Sequence, residues 1–256
     1  MNKLVFVLGI CTLLFSPLHA QDASDWLAWV GAPTENGVRA KVFAPRTPDL
    51  DWLLFDPARG SEHQVKGRPV EGAPGWFSFE ASGLLPNTTY FYHFQNQEEN
   101  QGKPGQFQTL SQGPTSFSFL SSSCGFFPNN PAHVHMAKQD ALFYLNVGDL
   151  HYANPKSEMA EPHRKAYIQR VLQGEAEQQL FSKMPLIYVW DDHDFCGNNS
   201  LGESPCGAAA RLAYQQAVPS HPSYREGAGI AREFRHGRVA FLIMDLAPNE
   251  AKTTTC

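Results

Sequence analysis

Two acidic loops, each standing directly behind a short apolar run, constrain this chain more than any other feature of it. Leu145-Asn146-Val147 opens into Gly148-Asp149-Leu150-His151-Tyr152, and Leu186-Ile187-Tyr188-Val189-Trp190 opens into Asp191-Asp192-His193-Asp194. Apolar runs this short, rich in β-branched and aromatic residues, read as buried strands. In an open α/β sheet the residues just past the strand ends line the active crevice. Carboxylates, a phenol and an imidazole are thereby expected to converge on one crevice, a composition suited to hard metal ions.

The surrounding pattern agrees. Strands expected over 117–121, 142–147 and 186–190 alternate with helices near 131–139, 161–183 and 208–217, which predicts βαβ units in an open sheet. Apolar strands over 230–234 and 239–244, separated by His236-Gly237-Arg238, predict a hairpin joined to that sheet. Residues 22–112 read instead as all-β, with short β-prone runs at 26–30, 37–43, 52–55, 76–79 and 89–94 divided by Pro, Gly and Asn turns. Strands at that spacing predict a sandwich. The corner from Ala81 to Tyr92 resembles the turn and strand of fibronectin type III-like domains, in which a Leu and a Tyr pin the two sheets. Ser111-Gln112-Gly113-Pro114 reads as a linker. The expected division is therefore a signal segment over 1–20, a fibronectin-like β-sandwich over 21–112 and an α/β domain over 115–256.

A formal net charge of -5 with no Lys/Arg cluster argues against nucleic acid or an anionic membrane as the main partner. Lys3, the apolar stretch from Leu4 to Phe15 and the turn Pro17-Leu18-His19-Ala20 read as a secretory signal peptide cut before Gln21. No transmembrane segment is expected beyond it, and the location expected is periplasmic or secreted. Ile10, ahead of Cys11, is bulkier than a lipidation site prefers. In an oxidising compartment Cys196 and Cys206, in one loop-rich stretch, are the natural disulfide pair, although both being free is the alternative that sequence leaves open.

A Gly after a buried strand lets the backbone turn tightly, so Asp149 can stand at the strand end with both oxygens free to bridge two cations. Tyr152 could join as a phenolate, a hard ligand suited to Fe(III). The plainer alternative is a Gly-Asp turn beside an ordinary core tyrosine. Asp191, Asp192 and Asp194 crowd three carboxylates around His193, which is unfavourable unless cations or cationic side chains neutralise them; the alternative is a solvated acidic turn, although Trp190 and the β-branched run before it imply burial on at least one side. Asn198 and Asn199 read equally as neutral oxygen ligands or as turn residues. Cys124, behind the strand at 117–121, is either a thiolate ligand for Fe(III) or Zn, or a structural cysteine.

Ser-Ser-Cys-Gly at 122–125, then Gly-Asp-Leu-His-Tyr at 148–152, then Val-Trp-Asp-Asp-His-Asp-Phe at 189–195 with Asn-Asn close behind, occur in that order after the fibronectin-like segment. In this the chain resembles the PhoD-type alkaline phosphatase/phosphodiesterase family of calcineurin-like metallophosphoesterases, over most of its length beyond residue 20. The resemblance implies a secreted enzyme with a binuclear centre, Fe(III) with Ca(II) first and Zn or Mn as alternatives, acting on a small phosphate monoester or diester. It implies that Cys124 and Tyr152 ligate the trivalent ion, that Asp149 bridges, that Asp192 and Asn199 serve the second ion, and that His193 is the general acid for in-line attack by a metal-bound hydroxide. The family also draws Asp and His ligands from loops beyond the hairpin, and it often has an arginine close behind the position of Asp245, which residues 246–256 lack. The α/β metallophosphoesterase sandwich is therefore expected to be partial, with some ligands missing and activity in question. A second expectation is a non-catalytic remnant carrying a fibronectin-like binding module. A third, a Ca(II)-binding adhesion module using Asp191 to Asp194, leaves Cys124 and Tyr152 without a role.

Overall fold

The computed structural model describes residues 26–98, 101–125, 128–224 and 229–246. The expected signal segment and residues 247–256 lie outside them. Each β-prone run of the first half forms a strand: β1 (Leu27–Gly31), β2 (Gly37–Phe43), β3 (Asp51–Asp56), β6 (Trp76–Ser82) and β7 (Thr89–Gln95). Three further strands appear, β4 (Ser61–Lys66), β5 (Arg68–Pro69) and β8 (Gly105–Gln108). Sequence hides them because they lie at sheet edges, where a strand buries little: β4 alternates half-buried with exposed residues, and β4 and β8 flank the four-stranded sheet β4-β3-β7-β8.

The second sheet has seven strands in the order β5-β6-β2-β1-β11-β10-β9, with β9 (Leu120–Ser122), β10 (Tyr144–Asn146) and β11 (Leu186–Tyr188). β1 is antiparallel to β2 and parallel to β11, joined through Gly31 opposite Leu186, so one sheet continues on both sides of the segment at 111–114. A Cβ at residue 31 would meet the carbonyl oxygens of Pro219 at 2.3 Å and Leu186 at 2.6 Å; only glycine allows this junction. Side chains alternate across a strand, and β1 uses both faces. Val30 faces the sandwich core with Trp52 and Phe79, whereas Trp29 packs against Tyr167 and Phe181, ring centroids 5.8 and 5.9 Å away, and donates its indole N–H to Ala217 O at 2.7 Å. The seven-stranded sheet is thus the shared wall of two cores.

Two expectations about the second half are corrected. β12 (Arg232–His236) and β13 (Val239–Ile243) form a two-stranded sheet of their own and do not join the larger one. Their aromatics explain this: Phe234 and Phe241 meet Phe143 edge to face at 5.6 and 5.4 Å, so the hairpin attaches by packing its face. The helical region expected over 161–183 divides into α2 (Ala160–Tyr167), a π-helical turn (Ile168–Leu172) and α3 (Glu175–Phe181). Among the described residues no helix is long and apolar enough to cross a membrane.

The break before α3 is built around Glu177. Its carboxylate accepts from Asn129 N (2.9 Å), Asn130 N (3.2 Å) and His133 Nδ1 (3.0 Å), and a Cβ at Gly174 would stand 1.8 Å from it. It thereby fastens α1 (Pro131–Met136) to α3. Burial pushes the Glu177 carboxyl up, but the hydrogen bonds from His133 and the Asn129 and Asn130 amides outweigh it and hold it below the ordinary value. A depressed carboxyl contributes stability above the unfolded value, about 4.3, and loses it as pH falls through the folded one. Glu177→Gln is therefore expected to lower stability by about 1–3 kcal/mol at neutral pH, with the gap from the parent closing in acid as the parent's own carboxyl protonates. Urea midpoints against pH test this; a gap that persists undiminished at acid pH refutes it.

Candidate metal centre

β9, β10 and β11 run parallel in flush register, with Asn146 opposite both Ser122 and Tyr188. Their carboxyl ends deliver three loops to one edge. Gly148 takes φ 122°, and a Cβ there would lie 2.8 Å from Asp191 Cβ, so the two acidic loops touch only because this residue has no side chain. The loop behind β9 joins through Cys124 N to Gly148 O (3.1 Å) and Gly125 N to Asp149 O (2.7 Å).

Ligand atoms of Asp149, Asp192 and His193 lie within 4.8 Å of one another. Asp149 is buried; its Oδ2 accepts the Tyr152 hydroxyl at 2.8 Å and the Cys124 thiol at 3.9 Å. Its Oδ1, equally buried, has no hydrogen-bond partner among the described residues. A buried carboxylate oxygen without a donor is costly, and a cation is the natural remedy. Burial raises the Asp149 carboxyl above its usual range, against the pull of the Tyr152 hydrogen bond. The Tyr152 phenol is also pushed up, by desolvation and by its bond to Asp149, and its ring centroid lies 4.2 Å from that of His193. Both Asp192 oxygens accept backbone N–H groups, from His193 at 2.7 Å and from Asn199. Cys124, Asp149, Tyr152, Asp192 and His193 are thus brought together, and Asn199 reaches Asp192 through its main chain.

The other two carboxylates of the second loop do not join the cluster. Asp191 caps α4 (Asp192–Phe195), accepting from Asp192 N at 2.8 Å. Asp194, completely buried, accepts from His151 N (2.8 Å), Leu150 N (3.0 Å) and Asp191 N (3.3 Å). The expected crowding is therefore relieved largely by backbone N–H groups, and of the three carboxylates only Asp192 lies in the cluster with Asp149 and His193. Burial pushes the Asp194 carboxyl up to about 7 despite those donors. Burial likewise drives His151 down to about 3, so the imidazole of the first loop is neutral and sits beneath the site, with Nδ1 3.6 Å from Asp194.

Residues 196–206 close a further loop. Cys196 and Cys206 form the expected disulfide, their Cα atoms 6.0 Å apart, at the start of α5 (Gly207–Ala217). Gly197 N and Ser200 Oγ donate to Asp192 O at 2.8 and 3.1 Å. Cys124, Asp149, Asn154 and Asn199 all take left-handed φ between 52° and 58°. Such conformations cost on the order of 1 kcal/mol each for non-glycine residues and tend to collect at functional sites. Nothing in the sequence singles out Asn154. Its only local mark is the Asn-Pro turn dipeptide, which says nothing of His193, 39 positions away.

Two carboxylates, an imidazole, a phenol and a thiol behind the carboxyl ends of parallel strands make a candidate metal site on an α/β sheet. No family model matches the chain. It is 26% identical over 200 residues to alkaline phosphatase D of Bacillus subtilis (strain 168), covering 65% of this chain and 34% of that protein. Its fold matches the structure of PhoD with a TM-score of 0.73 at 19% identity, covering 89% of this chain and 52% of that one. The chain spans about a third of the curated relative and about half of the PhoD structure. By sequence the chain is thus similar to alkaline phosphatase D, and its fold is PhoD-like, with a mixed sheet at its centre.

Proposed function

We propose that this chain belongs to a metal-dependent phosphoric ester hydrolase of the alkaline phosphatase D type. The observation that carries the reading is the convergence of ligand atoms of Asp149, Asp192 and His193 within 4.8 Å, together with a buried Asp149 oxygen that has no donor among the described residues. The donor set fits metal. A thiol and a phenol beside Asp149 suit Fe(III), and Asp192 suits Ca(II), for which Asn199 would add a neutral oxygen; Zn or Mn would be accepted by the same groups. Bound cations would supply charge stabilisation for the phosphoryl oxygens and acidify water.

The remaining work falls to the chain. Asp149 accepts from Tyr152 and Cys124 through Oδ2 and lies within 4.8 Å of Asp192 and His193, so its carboxylate would be shared between the two sides of the centre. His193, half-buried with its ring beside Tyr152, would protonate the leaving oxygen as general acid. Under this reading the substrate is a small phosphate mono- or diester and the protein is secreted or periplasmic. Residues 21–112 are a fibronectin-like module bordering the phosphoesterase domain at 115–256. The corner in which Tyr90 Oη accepts from Leu85 N at 2.8 Å, with Leu84 buried, supports that likeness.

Hydrolysis of p-nitrophenyl phosphate and bis-p-nitrophenyl phosphate tests the proposal. Turnover of at least one is expected, lost on chelation and restored by Fe(III) with Ca(II), with a tyrosinate charge-transfer band in the visible spectrum of the loaded protein. A folded, metal-loaded chain that turns over neither ester overturns it.

A further inference from the structure

We infer that Asn154 is a positioning residue that fixes the His193 ring in its Nδ1–H tautomer and turns Nε2 to the crevice. The inference rests on the proposed function for its purpose, though not for its geometry.

An asparagine amide has one end that accepts and one that donates, and its neighbours decide which is which. Here two backbone groups settle it. Asn198 N–H, which can only donate, meets Asn154 Oδ1 at 3.2 Å, and Tyr152 C=O, which can only accept, meets Asn154 Nδ2 at 3.0 Å. The oxygen end therefore faces His193 Nδ1, 2.6 Å away. An oxygen acceptor at that distance requires the proton on Nδ1. Whenever the ring is neutral, Nε2 then carries the lone pair.

This orientation is held from several sides. Asn154 takes a left-handed φ of 52°, next to Pro155, which fixes where its side chain starts. Asn198 lies in the loop closed by Cys196 and Cys206, so the amide joins that loop, the Tyr152 turn and His193 at one point. Tyr152 packs against the ring on another side, centroids 4.2 Å apart. A general acid needs one nitrogen that exchanges protons with the substrate and one that is committed elsewhere, and a second partner of this kind fixes both tautomer and ring plane. Asn154 supplies that partner without adding a charge to a crevice that already holds two carboxylates.

The test is 15N-edited NMR of the imidazole in metal-free protein, at a pH where the ring is neutral, for the parent and for Asn154→Gly and Asn154→Asp. Glycine tolerates the left-handed backbone, so that change removes the acceptor without adding strain; aspartate keeps an oxygen in place. Expected are an Nδ1–H ring in the parent and in Asn154→Asp, and conversion to a mixture or to Nε2–H in Asn154→Gly. An Nε2–H ring in the parent overturns the inference, as does an unchanged ring in folded Asn154→Gly. If that variant does not fold, loss of the Nδ1–H form in Asn154→Asp overturns it, and retention supports it. No readout uses ester hydrolysis, so a parent with the Nδ1–H ring and no turnover sinks the proposed function and leaves this inference standing.

Discussion

Asp149→Asn is expected to weaken Mn(II) binding by about 100-fold or more, beyond the usual effect of losing an outer-shell partner, while leaving the metal-free protein as stable as the parent or more so. The two halves of this expectation share one cause. Asp149 is a buried carboxylate with one oxygen lacking any donor among the described residues, and burial already raises it above its usual range. The amide removes that charge, keeps the volume, and keeps an oxygen for the Tyr152 hydroxyl. Asparagine also tolerates the φ of 55° at this position. The gain from removing an unpaired buried charge is about 1 kcal/mol or more. Such an exchange of stability for function is the mark of a group kept for a ligand. Electron paramagnetic resonance titration with Mn(II), with urea unfolding of both metal-free proteins, checks it. Undiminished binding would remove Asp149 from the metal centre, and a large loss of stability would make it structural.

Asp194→Ala should behave in the opposite way, losing about 3–5 kcal/mol of stability although Asp194 stands outside the ligand cluster. Its carboxylate accepts three backbone N–H groups, from Leu150, His151 and Asp191, in a fully buried position. Alanine strands all three and cuts the tie between the two acidic loops. Metal binding should fall with it, because Asp149 and Asp192 are held on either side of that tie. Asp194→Asn should fall between, since its amide keeps an acceptor oxygen but turns an NH2 toward donors. Urea unfolding gives the energy, and amide exchange at residues 150 and 151 locates it. A stability loss under about 1 kcal/mol for the alanine variant would show that water replaces the carboxylate.

Much of the site is legible in the amino-acid sequence. The Gly-Asp turn after β10, the acidic run after β11 and Cys124 after β9 can be placed on one crevice because parallel strands send their carboxyl ends to one edge. The Cys196–Cys206 pair can be chosen because both residues lie in one short loop. The hairpin β12–β13 misleads, since its apolar residues mark burial without saying whether it comes from edge pairing or from a face packed on Phe143. The edge strands β4 and β8 are hidden for the converse reason: they bury too little to leave a pattern.

The sequence by itself determined which loops carry the chemistry and in what order, because a strand's apolar run and the polar turn behind it are local properties of the chain. It could not divide the acidic run. Asp192 and Asp194 are two positions apart in α4, and at about 3.6 residues per turn they point to nearly opposite sides. One turns to Asp149 and His193, and the other down to the amides of Leu150 and His151. That separation depends on where the helix begins and on a loop some forty residues earlier, and so does the pairing of Asn154 with His193. Only the tertiary structure brings those partners into reach, since a hydrogen bond is fixed by distance in space and not along the chain.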